Sequence, residues 1–194
     1  MFTDGLLGLG RAHAQTSKDA AKAKGVIDET IVKALAILRD PKLKNDSKAR
    51  MKKLRSTVDP VFDWEAMAKG SIGPHWRKLN DSERSEFVDV FKELLARQYM
   101  DDIDRFQGEE ELRVAGAQTR GDLVTVQTVL LTTSREEVPI DYTMHKPGTG
   151  WLVSDVSIEG VSMVNHYRSS FSRFLVNGDF ATLLDKLKRK LGNT

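Results

Sequence analysis

The chain has 194 residues, 40% of them hydrophobic and 30% charged, with no cysteine and a formal charge of +2 from 30 basic and 28 acidic side chains. That length suits one substantial core, and the even charge balance gives no argument for a nucleic-acid partner. Disulfides, thiolate catalysis and zinc–cysteine sites are excluded, and no stretch approaches the roughly 20 apolar residues a membrane-spanning helix needs.

Residues 1–15 read as a signal-peptide remnant or a flexible tail, because the end of an apolar run is followed by Ala12-His13-Ala14, the small-x-small pattern that signal peptidase cuts. Residues 16–194 then form a single domain. Val26, Ile27, Ile31, Val32, Leu35 and Leu38 recur at helical spacing, so a long helix runs from about Ser17 to Leu38, where Asp40-Pro41 ends it. A second helix, capped by Asn45 or Asp46, extends to about Val58. A short third helix stops at Gly70. Asn80 and Glu83 make a capping box for a fourth, whose stripe is Phe87, Val90, Phe91, Leu94 and Leu95, continuing to Tyr99, Ile103 and Phe106.

Beyond Gly108 the apolar period becomes two. Four strands are expected, at residues 111–117, 122–133, 138–145 and 150–159, joined by short turns suited to an antiparallel meander. Val124, Val126 and Leu130 share a face, as do Val138, Ile140, Tyr142 and Met144, and the last strand offers Leu152, Val156 and Ile158. Two helices close the chain, at about 160–175 and from Asp179 to Leu191, the last capped by Gly192. The fold class is therefore α+β, a four-stranded antiparallel sheet with helices on one face.

Catalytic and metal chemistry finds little support. His13, His75, His145 and His166 have no partner at metal-ligand spacing. Asp141 and His145 share one strand face, with Asp155 on a neighbouring strand, and are the residues an enzyme would use; the bland alternative is a solvated face. Basic residues outnumber acidic ones by about two to one from Lys18 to Arg55, and Asp101, Asp102, Asp104, Glu109, Glu110 and Glu111 form an acidic patch. Each reads as a solvated face or a docking surface. The basic last helix either docks on its own domain or makes transient contact with an anionic membrane surface.

Two stretches carry a family resemblance. Residues 61–99, with Phe62-Asp63, Trp76 and the Phe87 to Tyr99 helix, and residues 151–175, with Trp151, Asp155, Gly160-Val161-Ser162, Tyr167, Arg168 and Phe171, resemble the MlaC-type, or toluene-tolerance, phospholipid-binding proteins of Gram-negative bacteria. The resemblance implies a periplasmic carrier, not an enzyme, with no cofactor beyond the glycerophospholipid it holds. Such a carrier passes its cargo between an outer-membrane lipoprotein complex and an inner-membrane ABC transporter with an MCE-domain subunit, in the maintenance of outer-membrane lipid asymmetry. It further implies a nuclear-transport-factor-like cone, its curved sheet and helices enclosing an apolar cavity. The lipid-binding residues nominated on that basis are Val126, Leu130, Val138, Ile140, Tyr142, Met144, Leu152 and Val156 from strands, Trp76, Phe91, Leu94 and Leu95 from the middle helices, and Val161, Val164, Tyr167 and Phe171 after the last strand. Arg168 either pairs with Asp155 or Glu159 or meets a lipid head group. Some relatives occur in hopanoid-related contexts, so a hopanoid or other hydrophobic-ligand carrier is the first alternative. An enzyme of the same cone-shaped fold and a protein-interaction module are the others.

Overall fold

The computed structural model describes residues 5–98 and 108–192, with side chains from residue 16 onward. Tyr99, Ile103, Phe106, Asp101, Asp102 and Asp104, assigned above to a helix stripe and an acidic patch, lie outside the described residues, as do residues 1–4. Two compact units emerge, each assembled from two segments of the chain: residues 1–62 with 107–160, and residues 63–106 with 161–194.

The first unit is a sheet with helices. Helix α1 spans Gly5–Leu38, reaching further back than the expected start near Ser17, and α2 spans Ser47–Val58. Asp40 caps the 3-10 turn Pro41–Leu43 that follows α1 by accepting from Lys42 N at 2.9 Å, and Asp46 opens α2 by accepting from Ala49 N at 2.8 Å, so local side-chain caps start both elements. The strands are β1 (Glu111–Arg120), β2 (Leu123–Leu131), β3 (Glu137–His145) and β4 (Leu152–Ile158), paired antiparallel in chain order. Gly121, at φ 62°, takes the first position of the two-residue β1–β2 turn, where a type II′ hairpin needs a positive φ. Ala23, Ile27 and Ile31 form the buried stripe of α1. Thr119 of β1 donates to the Thr16 carbonyl at 3.2 Å, and Arg39 donates to the carbonyls of Gly108 and Glu110. The helix thereby lies along β1 and β2, covering the face that carries Val124 and Val126.

The sheet contains five strands rather than the four expected. The fifth, β5, is only Val161–Ser162, in the order β1-β2-β3-β4-β5. Glu159 and Gly160 both have positive φ, 50° and 79°, the two-residue reversal of a type I′ hairpin, and it folds the next two residues back as an edge strand. A two-residue strand is too short to show a period, which is why the sequence concealed it.

The second unit is helical: α3 (Trp64–Ile72), a 3-10 segment Gly73–Lys78, α4 (Asp81–Gln98), α5 (Met163–Leu175) and α6 (Phe180–Gly192). The capping box at α4 forms as expected: Glu83 N donates to Asn80 Oδ1 at 3.0 Å and Asn80 N to Glu83 Oε2 at 2.8 Å. Ser162 caps α5 by accepting from Asn165 N. Asp179 does the same for α6, and the backbone N–H of Thr182 holds its carboxyl below the usual range. Helix α3 corrects one expectation. It does not stop at Gly70 but continues to Ile72, where Gly73, at φ 55°, ends it.

Candidate functional site

Within the sheet, residues opposite one another across an antiparallel pair point to the same side. Val126 opposes Tyr142, Leu130 opposes Val138, Thr128 opposes Ile140, and Tyr142 opposes Val156. Seven of the eight nominated strand residues therefore share one face. Leu152 does not. The β3–β4 register slips between Thr143 and Met144, so Met144 opposes Val153 while Thr143 opposes Asp155, leaving Ser154 as the extra residue of a bulge. The bulge inverts the alternation, places Val153, fully buried, on the apolar face, and turns Leu152 to the side of Asp155 and His145. No sequence signal pointed to Val153, because strict alternation from Val156 passes over it.

This apolar face is graded. Val124, Val126, Met144 and Val153 are fully buried and Val156 nearly so, whereas Leu130, Val138, Ile140 and Tyr142 are half-buried. One polar device interrupts it. Thr128 donates to the Ile140 carbonyl at 2.8 Å and shares a hydrogen bond with the Tyr142 phenol; burial pushes that phenol up to about 12, and the Thr128 contact offsets part of the rise. Both hydroxyls have partners, so the surface they present is apolar in effect.

In the helical unit the nominated aromatics converge. Phe91 lies 5.4 Å from Tyr167 and 6.4 Å from Phe171 between ring centroids, both edge-on, and Tyr167 lies 5.4 Å from Phe171. Phe87 and Phe180, not nominated, complete the cluster: Phe87 meets Phe91 at 5.9 Å, Phe171 at 6.0 Å and Phe180 at 5.6 Å. The four-residue spacing of Phe87 with Phe91 and of Tyr167 with Phe171 was the available signal, since it puts each pair on one helix face. Leu94, Leu95 and Val164 are buried, Tyr167 is half-buried, and Val161 is exposed. Trp76 is buried apart from the aromatic cluster, with the Arg84 guanidinium 5.6 Å from its ring, beneath a polar groove of about 340 Å³ that Glu65, Asp81, Ser85, Val88 and Asp89 also line.

Arg168 is held by α3. Its Nε donates to the Gly70 carbonyl at 2.7 Å, one of the last-turn carbonyls that the helix cannot satisfy itself, and its positive charge suits that helix end. The apolar face of α6, Leu183, Leu184 and Leu187, is buried, Lys188 pairs with Glu86 of α4, and Arg97 donates to the Leu191 carbonyl. That face is thus spent on the helix's own unit. Asp141, His145 and Asp155 do share the sheet face opposite the apolar one. Among the described residues no group of three or more His, Asp or Glu could hold a metal ion, and no helix is long and apolar enough to cross a membrane.

Comparison with known proteins gives a family and a fold. The model of the MlaC protein family matches residues 28–189. Among proteins of curated function no sequence matches the chain. A phospholipid-binding protein from Ralstonia solanacearum, solved in complex with a phospholipid, is similar to this chain with a TM-score of 0.80 and 21% identity, covering 89% of this chain and 98% of its own. At that identity the likeness carries the α+β architecture, an open antiparallel sheet packed against helices.

Proposed function

The chain belongs to the MlaC family, and from that premise we propose that it is a periplasmic phospholipid carrier, sequestering acyl chains in an apolar cavity and shuttling them between an outer-membrane lipoprotein complex and an inner-membrane MCE-domain ABC transporter. The observation that carries the reading is the shared fold with a protein solved holding a phospholipid. It is supported by the graded sheet face, where Leu130, Val138 and Ile140 keep large aliphatic surface only half-buried in the protein alone.

The physics of the task favours such a surface. Two acyl chains with about 30 methylenes, at about 0.8 kcal/mol each, carry about 24 kcal/mol of unfavourable exposure to water, so a carrier must enclose them almost completely. A wall of aliphatic and aromatic side chains does this without directional bonds, and release then requires only a partner offering an equally dry path. In this reading Arg168 orders the α3 end, and the sheet residues contact the tails.

Organic extraction of the purified protein followed by mass spectrometry tests the proposal. Stoichiometric glycerophospholipid is expected, and Ile140→Asp or Tyr167→Asp should lose it while circular dichroism shows the fold retained. A hopanoid in the extract would select the other hydrophobic cargo. A full lipid load in both folded variants would refute the assigned lining.

A further inference from the structure

From Pro41 to Val58 the chain carries seven cationic side chains and a single carboxylate, Asp46. The structure divides the seven. Arg50 is buried, Arg55 lies 3.7 Å from Asp59, and Lys53 lies 4.0 Å from Asp40, so three are directed to the protein's own groups. Lys42, Lys44, Lys48 and Lys52 are exposed and make no ion pair with any described carboxylate. Lys48 and Lys52, four residues apart, stand on one face of α2, and Lys42 and Lys44 lie just before its start. The two nearby carboxylates, Asp40 and Asp46, cannot neutralise four lysines, and Asp40 already lies 4.0 Å from Lys53, so the face keeps a net positive charge. The opposite side of α2 is satisfied internally through Leu54.

We propose that this lysine face docks the protein on an anionic bilayer surface. The composition of the patch selects a membrane over an acidic protein. Protein interfaces concentrate aromatic anchors and arginine and are depleted in lysine, and the exposed large hydrophobic residues Val32, Leu123, Val161 and Val176 all lie outside α2. Lysine ammoniums on flexible stems act as point charges, matched to mobile lipid head groups rather than to a fixed carboxylate fork. With no apolar residue to insert, binding is purely electrostatic: each lysine near an anionic surface strengthens it about fivefold, and the attraction vanishes beyond a Debye length. Such contact is reversible, as transfer at a membrane requires. Docking does not depend on cargo, so it and the carrier reading fail separately.

The test is co-sedimentation of the full chain with vesicles of 30% phosphatidylglycerol in phosphatidylcholine, against pure phosphatidylcholine, at 20 and 300 mM salt. Binding to the anionic vesicles alone, lost at high salt and weakened about 25-fold by Lys48→Gln with Lys52→Gln, is expected. Lys186→Gln with Lys190→Gln removes the same net charge from α6 and should weaken it far less. No binding at low salt, equal binding to neutral vesicles, an unchanged K48Q/K52Q variant, or equal loss in the α6 control would each overturn the proposal. So would salt-sensitive binding to polyglutamate with none to vesicles, which would assign the face to an acidic protein.

Discussion

Replacing Gly70 by alanine tests how α3 and α5 approach each other. A methyl group at that position would lie 2.6 Å from Val164 Cγ1, whereas carbon atoms pack at about 3.5–4.0 Å, so one helix must move by about 1 Å. Neither moves easily. Val164 is buried on a helix and β-branched, which leaves it one favoured rotamer, and retreat of α3 stretches the 2.7 Å bond from Arg168 to the Gly70 carbonyl. Alanine in a helix interior gains about 1 kcal/mol over glycine, and overpacking costs about 1–3 kcal/mol, with further loss from the strained hydrogen bond. A net destabilisation of about 1–2 kcal/mol is expected, a fall in melting temperature of about 2–8 °C for a chain of this length. Val164→Ala alone should cost about 1.6 kcal/mol for two lost methyl-sized groups, plus a cavity term. In the double variant the new methyl enters the space that valine vacates, so the two costs should fall short of their sum by at least about 1 kcal/mol. Urea denaturation of the four proteins, followed by far-ultraviolet circular dichroism, measures this coupling. Additivity within about 0.5 kcal/mol, or a stabilised Gly70→Ala protein, would refute the close-approach argument.

Phe87→Ala should be among the most damaging core substitutions, at about 3–5 kcal/mol, because Phe87 is fully buried and meets three other rings; a loss below about 1.5 kcal/mol in denaturant would show that the cluster collapses around the gap. The raised phenol of Tyr142 predicts alkaline lability. Its neutral form contributes stability that is fully present below pH 10, where the unfolded phenol is also protonated, and is lost as pH rises through about 12, at most about 2–3 kcal/mol in all. Stability measured from pH 9 to 12 should therefore fall less steeply in Tyr142→Phe than in the parent, and parallel curves would exclude the contribution. Arg168→Gln should lower stability by about 1 kcal/mol through the lost Gly70 bond and leave lipid load unchanged; a lost lipid load at unchanged stability would instead assign Arg168 to a head group.

Much of this architecture was legible along the chain. The caps at Asp46 and at Asn80 with Glu83, the period-two strands and the turn at Gly121 all depend on groups a few residues apart. Local sterics and local hydrogen bonds act before any packing, so composition and spacing suffice to read them. The two stretches at residues 61–99 and 151–175 likewise sufficed for the family, which the match over residues 28–189 established. The candidate lining was only partly legible: seven strand residues fall on one face as alternation requires, and Leu152 does not.

Other features were decided only by tertiary structure. Val153 rather than Leu152 faces inward because a bulge at Ser154 fits β4 to the register of β3. Gly70 lies inside a helix where a side chain would collide with Val164, 94 residues further on, and Arg168 finds its partner on that same turn. Phe87 and Phe180 join Phe91, Tyr167 and Phe171 in one cluster although 93 residues separate the first two. In each case the deciding energy is a contact between segments distant in sequence, and periodicity records which face of an element is apolar without recording what that face will meet.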